Sequence, residues 1–289
     1  MSQYVTKIRT DKGDLPVDYN SLANLPDLSR PNLLINSDFR YPVNQRGETN
    51  YINNTNWQWC YTVDRWALNG SLNSMSVSVN NGSITVINNS DYAAHFRQWF
   101  ERKYDNNYYT VTINVVSVTG IVKVYMDEGI KSNALTVGKN VITLSATPEY
   151  FNVFLDSDAS IELEYIKLEV GNVATQFVPR QYAEEVMLCR RYYRNDAVRL
   201  VSYQHTNRYA YFAYNFEPMR DVPTFSYVGF AETLNHAGVV ITNTKVSCGT
   251  DTLNNRLTII VNFTENSAIA NYYYLVSSGR VILDAEMYQ

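Results

Sequence analysis

The chain has 289 residues, a net charge of −4, 45% apolar residues and only 18% charged ones, with 24 tyrosines. That length allows two modest domains, each burying a core of its own. The acidic balance offers no basic field for a phosphate backbone, which argues against a nucleic-acid partner. No stretch reaches the roughly 18 consecutive apolar residues of a spanning helix, which argues against membrane insertion.

Residues 1–30 read as an extended segment, too polar for a core and interrupted by Pro16 and Pro26. The opening MSQYVTKIRTDKG lacks the apolar stretch of a secretion signal. Within this segment Val17, Tyr19, Leu22 and Leu25 form a sparse apolar stripe. A short stripe cannot offset its own ordering entropy, so contact with another protein or another copy is the favoured expectation.

Residues 31–178 alternate apolar and polar positions in short runs, the pattern of a jelly-roll-like β-sandwich. Met75, Val77 and Val79 lead through Asn80-Asn81-Gly82 into Ile84 and Val86, a hairpin signature. Val111 to Val115, Val122 to Met126 and Phe151 to Leu155 alternate likewise. Ile161, Leu163 and Tyr165 are followed in opposite phase by Ile166, Leu168 and Val170, which predicts a β-bulge at Tyr165–Ile166.

Residues 179–195 read as a connecting helix, with Pro179 in its first turn and an apolar stripe at Tyr182, Val186, Cys189 and Tyr193. Residues 196–289 read as a second, smaller β-domain. Its clearest strands are expected at Tyr209–Phe216, Val239–Val246, Leu257–Phe263 and Tyr272–Val276. The first of these is apolar on both faces, which calls for cover from another sheet or subunit.

Three stretches resemble bacteriophage tail-fibre and receptor-binding proteins. KIRTDKGDLPVDYNSLANLPDLS is similar to the virion-attachment segment of phage tail and head fibres. NLLINSDFRYPVNQRG, YTVDRWALNG and LEVGNVATQFVPRQYAEEVMLCRRYYR resemble the carbohydrate-binding-module-like jelly roll and exit helix of phage fibre proteins. FEPMRDVPTF and VILDAEMYQ look like the β-domain that follows that helix. The resemblance implies a homotrimeric, non-enzymatic virion appendage, assembled in the host cytoplasm. It implies attachment to other virion proteins through the N-terminal segment and contact with a bacterial surface glycan. A head fibre, capsid decoration or baseplate component without receptor binding is the competing expectation.

Trp57 and Trp59 are candidates for stacking on a sugar ring, sharing a face if the stretch is extended, with Asn53, Asn54, Asn56 and Gln58 beside them for hydroxyl groups. Core packing is their competing role, and Trp66 reads as core. Tyr209, Tyr211, Tyr272 and Tyr274 form a second aromatic group, suited to a receptor or to a trimer interface. Glu162 and Glu164 have strand spacing suited to a pair of glycosidase carboxylates, but nothing beside them suggests a cleft. His95, His205 and His236 lack a catalytic pattern, and no catalytic residue is assigned. No cofactor or metal residue is assigned. Asn36-x-Asp38 and Asp156-x-Asp158 are the only oxygen sets considered for a structural calcium. Cys60, Cys189 and Cys248 stand far apart and read as free thiols.

Overall fold

A computed structural model describes residues 7–10, 13–16, 29–101, 107–127, 132–146, 148–205, 209–229, 232–235, 240–251, 256–263 and 275–286. The chain divides into two compact units, Met1–Glu185 and Val186–Gln289.

In the first unit β1 (Lys7–Thr10) pairs antiparallel with β2 (Gly13–Pro16), with Thr10 opposite Gly13. The segment was expected to hold no regular element. Two residues suffice to turn a hairpin, and Pro16 ends it at a position where a missing N–H is best tolerated. Val17, Tyr19, Leu22 and Leu25 lie outside the described residues.

Eleven further strands of this unit are β3 (Asn50–Ile52), β4 (Cys60–Tyr61), β5 (Ala67–Asn69), β6 (Met75–Val79), β7 (Ile84–Asn88), β8 (Ala94–Trp99), β9 (Asn107–Thr119), β10 (Val122–Met126), β11 (Gly138–Ala146), β12 (Tyr150–Leu155) and β13 (Ser160–Val170). They form a six-stranded sheet, β11-β9-β13-β7-β6-β3, and a five-stranded sheet, β10-β12-β8-β5-β4. The inner faces of the two sheets share one core, with Ile113, Ile84 and Ile166 from the first and Leu68, Phe96 and Phe151 from the second. This is the sandwich that the alternating pattern predicts. The β6–β7 hairpin turns as expected: Asn80 N–H donates to the Ser83 carbonyl at 2.9 Å, and Gly82 takes φ +94°.

The irregularity of β13 against β9 falls at Glu162–Tyr165, just before the predicted bulge. Ile161 and Leu163 face the core before it, Ile166 and Leu168 after it. Tyr165 therefore leaves the core and stacks on Phe177, ring centroids 4.2 Å apart. On the outer face of β13, Lys167 and Glu169 are buried as an ion pair at 3.3 Å. The segment after β13 folds back over them. Lys167 Nζ donates to the Thr175 hydroxyl (2.5 Å) and the Gln176 carbonyl (2.9 Å), and Thr175 N–H donates to Glu169 (2.8 Å).

Asn36 organises the start of the sandwich. It sits at φ 55°, fully buried, with its carboxamide bonded to Val43 N–H (2.7 Å) and to the carbonyls of Val43 and Asp64 (both 2.8 Å). Its own carbonyl accepts from Trp66 Nε1 at 2.8 Å. Trp66 is core, as its sequence context suggests, and stacks on Phe96 at 4.7 Å.

Helix α1 (Tyr182–Arg190) is the one helix among the described residues, and it is shorter than expected at both ends. Pro179 precedes it, and of the expected stripe only Cys189 is buried within the helix, while Tyr182 is 58% exposed. Tyr193 already belongs to a strand, because the Tyr192 carbonyl accepts from Ala285 N–H (2.7 Å) and a ladder begins there. That pairing overrides the helical spacing.

The second unit contains β14 (Tyr193–His205), β15 (Tyr209–Asn215), β16 (Thr224–Val228), β17 (Glu232–Asn235), β18 (Val240–Asp251), β19 (Arg256–Phe263) and β20 (Leu275–Asp284). Pairing runs β14-β15-β19-β18-β17-β20, and β20 returns to β14, so six strands close a circuit with β16 attached to β20. Of the expected strand at Tyr272–Val276, Leu275 and Val276 belong to β20, which continues to Asp284, and residues 272–274 lie outside the described residues. Ala210, Phe212 and Tyr214 of β15 point into the core with Leu257, Ile259, Val261, Val281 and Leu283. Beside this core, Asp196 accepts from the Tyr214 hydroxyl and pairs with Arg190 (3.0 Å) and Arg194 (3.1 Å), and Arg194 also pairs with Glu217.

Candidate functional site

Among the described residues, the outer face of the five-stranded sheet carries a dense aromatic surface. Strand alternation puts Ala94 and Phe96 into the core, so His95, Arg97 and Trp99 must face out. The register then sets cross-strand rows. Trp99 stands opposite Tyr150. Tyr61, Ala67, Arg97, Asn152 and Tyr125 form the next row. Asn69, His95, Phe154 and Lys123 form the third. Such rows of neighbouring side chains are the unit from which a sheet surface is built.

Trp59, just ahead of β4, packs on this surface. Its ring meets Trp99 edge to face at 4.5 Å, and the Arg97 guanidinium carbon lies 4.3 Å from its centroid. The same carbon lies 3.6 Å from the centroid of Tyr150 and 5.6 Å from that of Trp99. Arg97 Nε donates to Asn152 Oδ1 at 3.2 Å. His95 Nδ1 is 3.0 Å from Asn152 Nδ2 and 3.3 Å from the Tyr125 hydroxyl. An amide NH₂ only donates, so Nδ1 accepts there and carries no proton. Burial among the rings pulls Arg97 below its ordinary pKa, against the opposing influence of Tyr150, Tyr125 and Asp127. Trp59, Tyr61, His95, Arg97, Tyr150 and Phe154 are all half-buried, so the surface is ordered yet open to solvent.

The surface combines flat apolar rings with imidazole and guanidinium groups, both braced by the fully buried Asn152 carboxamide. Pyranose rings present just this mixture, an apolar C–H face edged by hydroxyl groups. Of the sequence candidates only Trp59 belongs to it. Trp57 does not share its face, because the stretch is not extended. Trp57 has φ 58°, its N–H donates to the Gly70 carbonyl (2.8 Å), and its ring meets Tyr92 at 6.2 Å. Trp57 is 46% exposed and Tyr92 64%, a separate pair of exposed rings. Asn53, expected to serve hydroxyl groups, is fully buried and donates to the Gly70 carbonyl at 2.9 Å.

Tyr211 lies on β15 facing away from its core, half-buried. The side chain of Tyr209, and the whole of Tyr272 and Tyr274, lie outside the described residues. Glu162 and Glu164 are divided by the β13 irregularity and serve different partners. Glu162 accepts from the Ser83 hydroxyl (2.6 Å), and Glu164 accepts from Asn114 Nδ2 (2.6 Å). Asp38 pairs with Arg40 at 2.7 Å, and Asp156 accepts from Ser157 N–H at 3.0 Å. Among the described residues no three His, Cys, Asp or Glu side chains converge as a metal site would require.

A cavity of about 730 Å³ opens elsewhere, between Arg40, Tyr41 and Pro42 on one side and Pro179, Arg180, Tyr182 and Glu185 on the other. Its charges are matched internally, Arg40 with Asp38 and Arg180 with Glu185 at 3.1 Å. The cavity therefore offers volume, whereas the aromatic face offers recognition groups, and the face is the stronger candidate. Its residues come from positions 59–61, 95–99, 123–125 and 150–154, which sequence proximity alone does not join. The usable signal was local. AHFRQW, VKVYM and YFNVFL each carry aromatic or cationic residues on the side opposite their core positions.

No family model matches the chain, and no curated protein matches it. Among solved structures it is similar to a family 29 carbohydrate-binding module from Piromyces equi. That likeness has 11% identity and a TM-score of 0.24, covering 42% of this chain and 90% of that one.

Proposed function

We propose that the first unit is a carbohydrate-binding module whose site is the outer aromatic face of the five-stranded sheet. The observation that carries this reading is the convergence of Trp59, Tyr150, His95 and Arg97 on one half-exposed surface, with the fully buried Asn152 carboxamide holding Arg97 and His95 in place. In the wider reading the chain is a non-enzymatic bacteriophage fibre protein that holds a host-surface glycan, with the N-terminal segment seated in the virion and three copies assembled together. Support for that wider reading is the resemblance of KIRTDKGDLPVDYNSLANLPDLS, NLLINSDFRYPVNQRG and the Gly171–Arg194 stretch to phage fibres.

Affinity gel electrophoresis of the full chain through a panel of neutral and acidic polysaccharides tests the binding reading. Retardation by at least one polymer is expected, with loss in Trp59→Ala while a cooperative melting transition shows that the variant still folds. If no polymer retards the chain, or if Trp59→Ala binds as well as the parent, the face is not the site. Antibody labelling of phage particles tests the wider reading. Tail labelling supports a receptor-binding fibre, and capsid labelling points to a head fibre or decoration role instead.

A further inference from the structure

Arg97 is an unusual group to find in the middle of an aromatic surface. One face of its guanidinium is close to Trp59 and another is closer still to Tyr150, while Nε is committed to Asn152. Among the described residues no carboxylate forms an ion pair with it. The acid nearest in influence is Asp127, whose Oδ1 is occupied by the N–H groups of Glu149 (2.7 Å) and Tyr150 (3.2 Å). Of two further cations close to the face, Arg46 lies 5.4 Å from the Tyr61 centroid and is already paired with Asp64 at 3.4 Å. Lys123 ends the third row and adds a second positive charge.

A half-buried cation held by rings, an amide and the Tyr125 hydroxyl, with no carboxylate paired to it among the described residues, is only partly compensated, since these contacts replace a fraction of the lost hydration. The two Nη groups form a fork that matches the oxygen spacing of a carboxylate or phosphate. From this geometry we infer that the ligand of the aromatic face is an acidic glycan. Its ring lies on the aromatic surface and its oxyanion pairs with Arg97. This inference rests on the carbohydrate reading above and narrows it to one chemical class. A neutral glycan would leave the guanidinium without a counter-charge and with its hydration further reduced, so the site discriminates against it.

The test uses the full chain in affinity gels containing polygalacturonate, fully methyl-esterified polygalacturonate, poly(glycerol phosphate) or neutral galactan. Retardation is expected with polygalacturonate or poly(glycerol phosphate), and these two arms separate a carboxylate from a phosphate as the oxyanion. It should be absent with the methyl ester and with galactan, and should weaken as salt rises. Arg97→Gln is expected to lower affinity roughly 10- to 100-fold, the usual weight of a charge-assisted hydrogen bond. Its melting temperature reports whether the fold survives. Arg97→Lys keeps the charge, removes the fork, and is expected to fall between the two.

Equal retardation by the ester or galactan overturns the acidic preference. So does an Arg97→Gln or Arg97→Lys variant that binds like the parent while Trp59→Ala does not, a result that leaves the carbohydrate reading standing. Absence of binding to both acidic polymers also overturns it, while retention by any neutral polymer then keeps the broader reading.

Discussion

The guanidinium carbon of Arg97 lies 3.6 Å from the centre of the Tyr150 ring, closer than to any other ring of that surface. The contact is cross-strand, from β8 to β12, and ties the cation of the aromatic face to the stability of the sheet. Tyr150→Phe keeps the ring face and is expected to change stability by less than about 0.5 kcal/mol. Tyr150→Ala removes it and is expected to cost about 1–3 kcal/mol, combining lost cation–π contact with lost packing. Urea denaturation of the two variants checks this, and equal losses would show that the ring face is not what Arg97 uses.

Trp66 and Asn36 form the second pair whose weight is open to measurement. The indole is fully buried and its N–H reaches the Asn36 carbonyl. Trp66→Ala is expected to cost about 3–5 kcal/mol. Asn36→Gly relieves the left-handed backbone but leaves the groups of Val43 and Asp64 without their side-chain partner, so a net loss of about 1–3 kcal/mol is expected. A more stable Asn36→Gly variant would mean that backbone strain outweighs the carboxamide bonds.

The buried Lys167–Glu169 pair predicts an asymmetric double-mutant cycle. Lys167→Met leaves the Glu169 carboxylate buried without its cation and is expected to cost about 3–5 kcal/mol. Adding Glu169→Gln removes that stranded charge and is expected to recover part of the loss. Burial drives Lys167 below its ordinary pKa while Glu169 opposes the shift, consistent with a cation held largely by its partner. Strictly additive losses in chemical denaturation would mean that the pair is not coupled.

Asp196 gives the second unit an acid-sensitive point. Burial alone would raise its pKa, but the Tyr214 hydroxyl, Arg194 and Arg190 hold it below the usual carboxylate range. A carboxyl group depressed on folding stabilises above its unfolded value of about 3.9, and that contribution is lost as pH falls through the lower, folded value. Unfolding midpoints of the second unit should therefore fall below about pH 4, and less steeply in Asp196→Asn. Parallel pH profiles for parent and variant would assign the acid sensitivity elsewhere.

The sandwich was legible because its inner positions obey a period of two, and the β6–β7 turn because Gly82 supplies the left-handed φ. The helix end was not legible. Tyr193 continues the helical stripe of Tyr182, Val186 and Cys189, and only pairing with a strand some 90 residues later decides for β14. The same limit applies to the site. Trp59 was visible as one member of an aromatic cluster, but its partners Arg97, Trp99 and Tyr150 reach it through strand register. Trp57 and Trp59 do not share a face, because two-residue spacing gives one only in an extended chain, and the Trp57 φ of 58° breaks that condition.

The entry and exit of the sandwich are fastened to each other. Ser29 Oγ donates to the Gln176 carbonyl at 2.8 Å, Arg30 N–H to the Thr175 hydroxyl at 3.0 Å, and Arg30 Nη1 to the Val170 carbonyl at 2.9 Å. Chain therefore enters and leaves this module at one place, as in domains that accept insertion into longer chains. Tension applied between Ser29 and Gln176 is carried first by this short clasp. While it holds, the sheets are bypassed, and the aromatic face keeps its shape under a pull that would otherwise be transmitted through its strands.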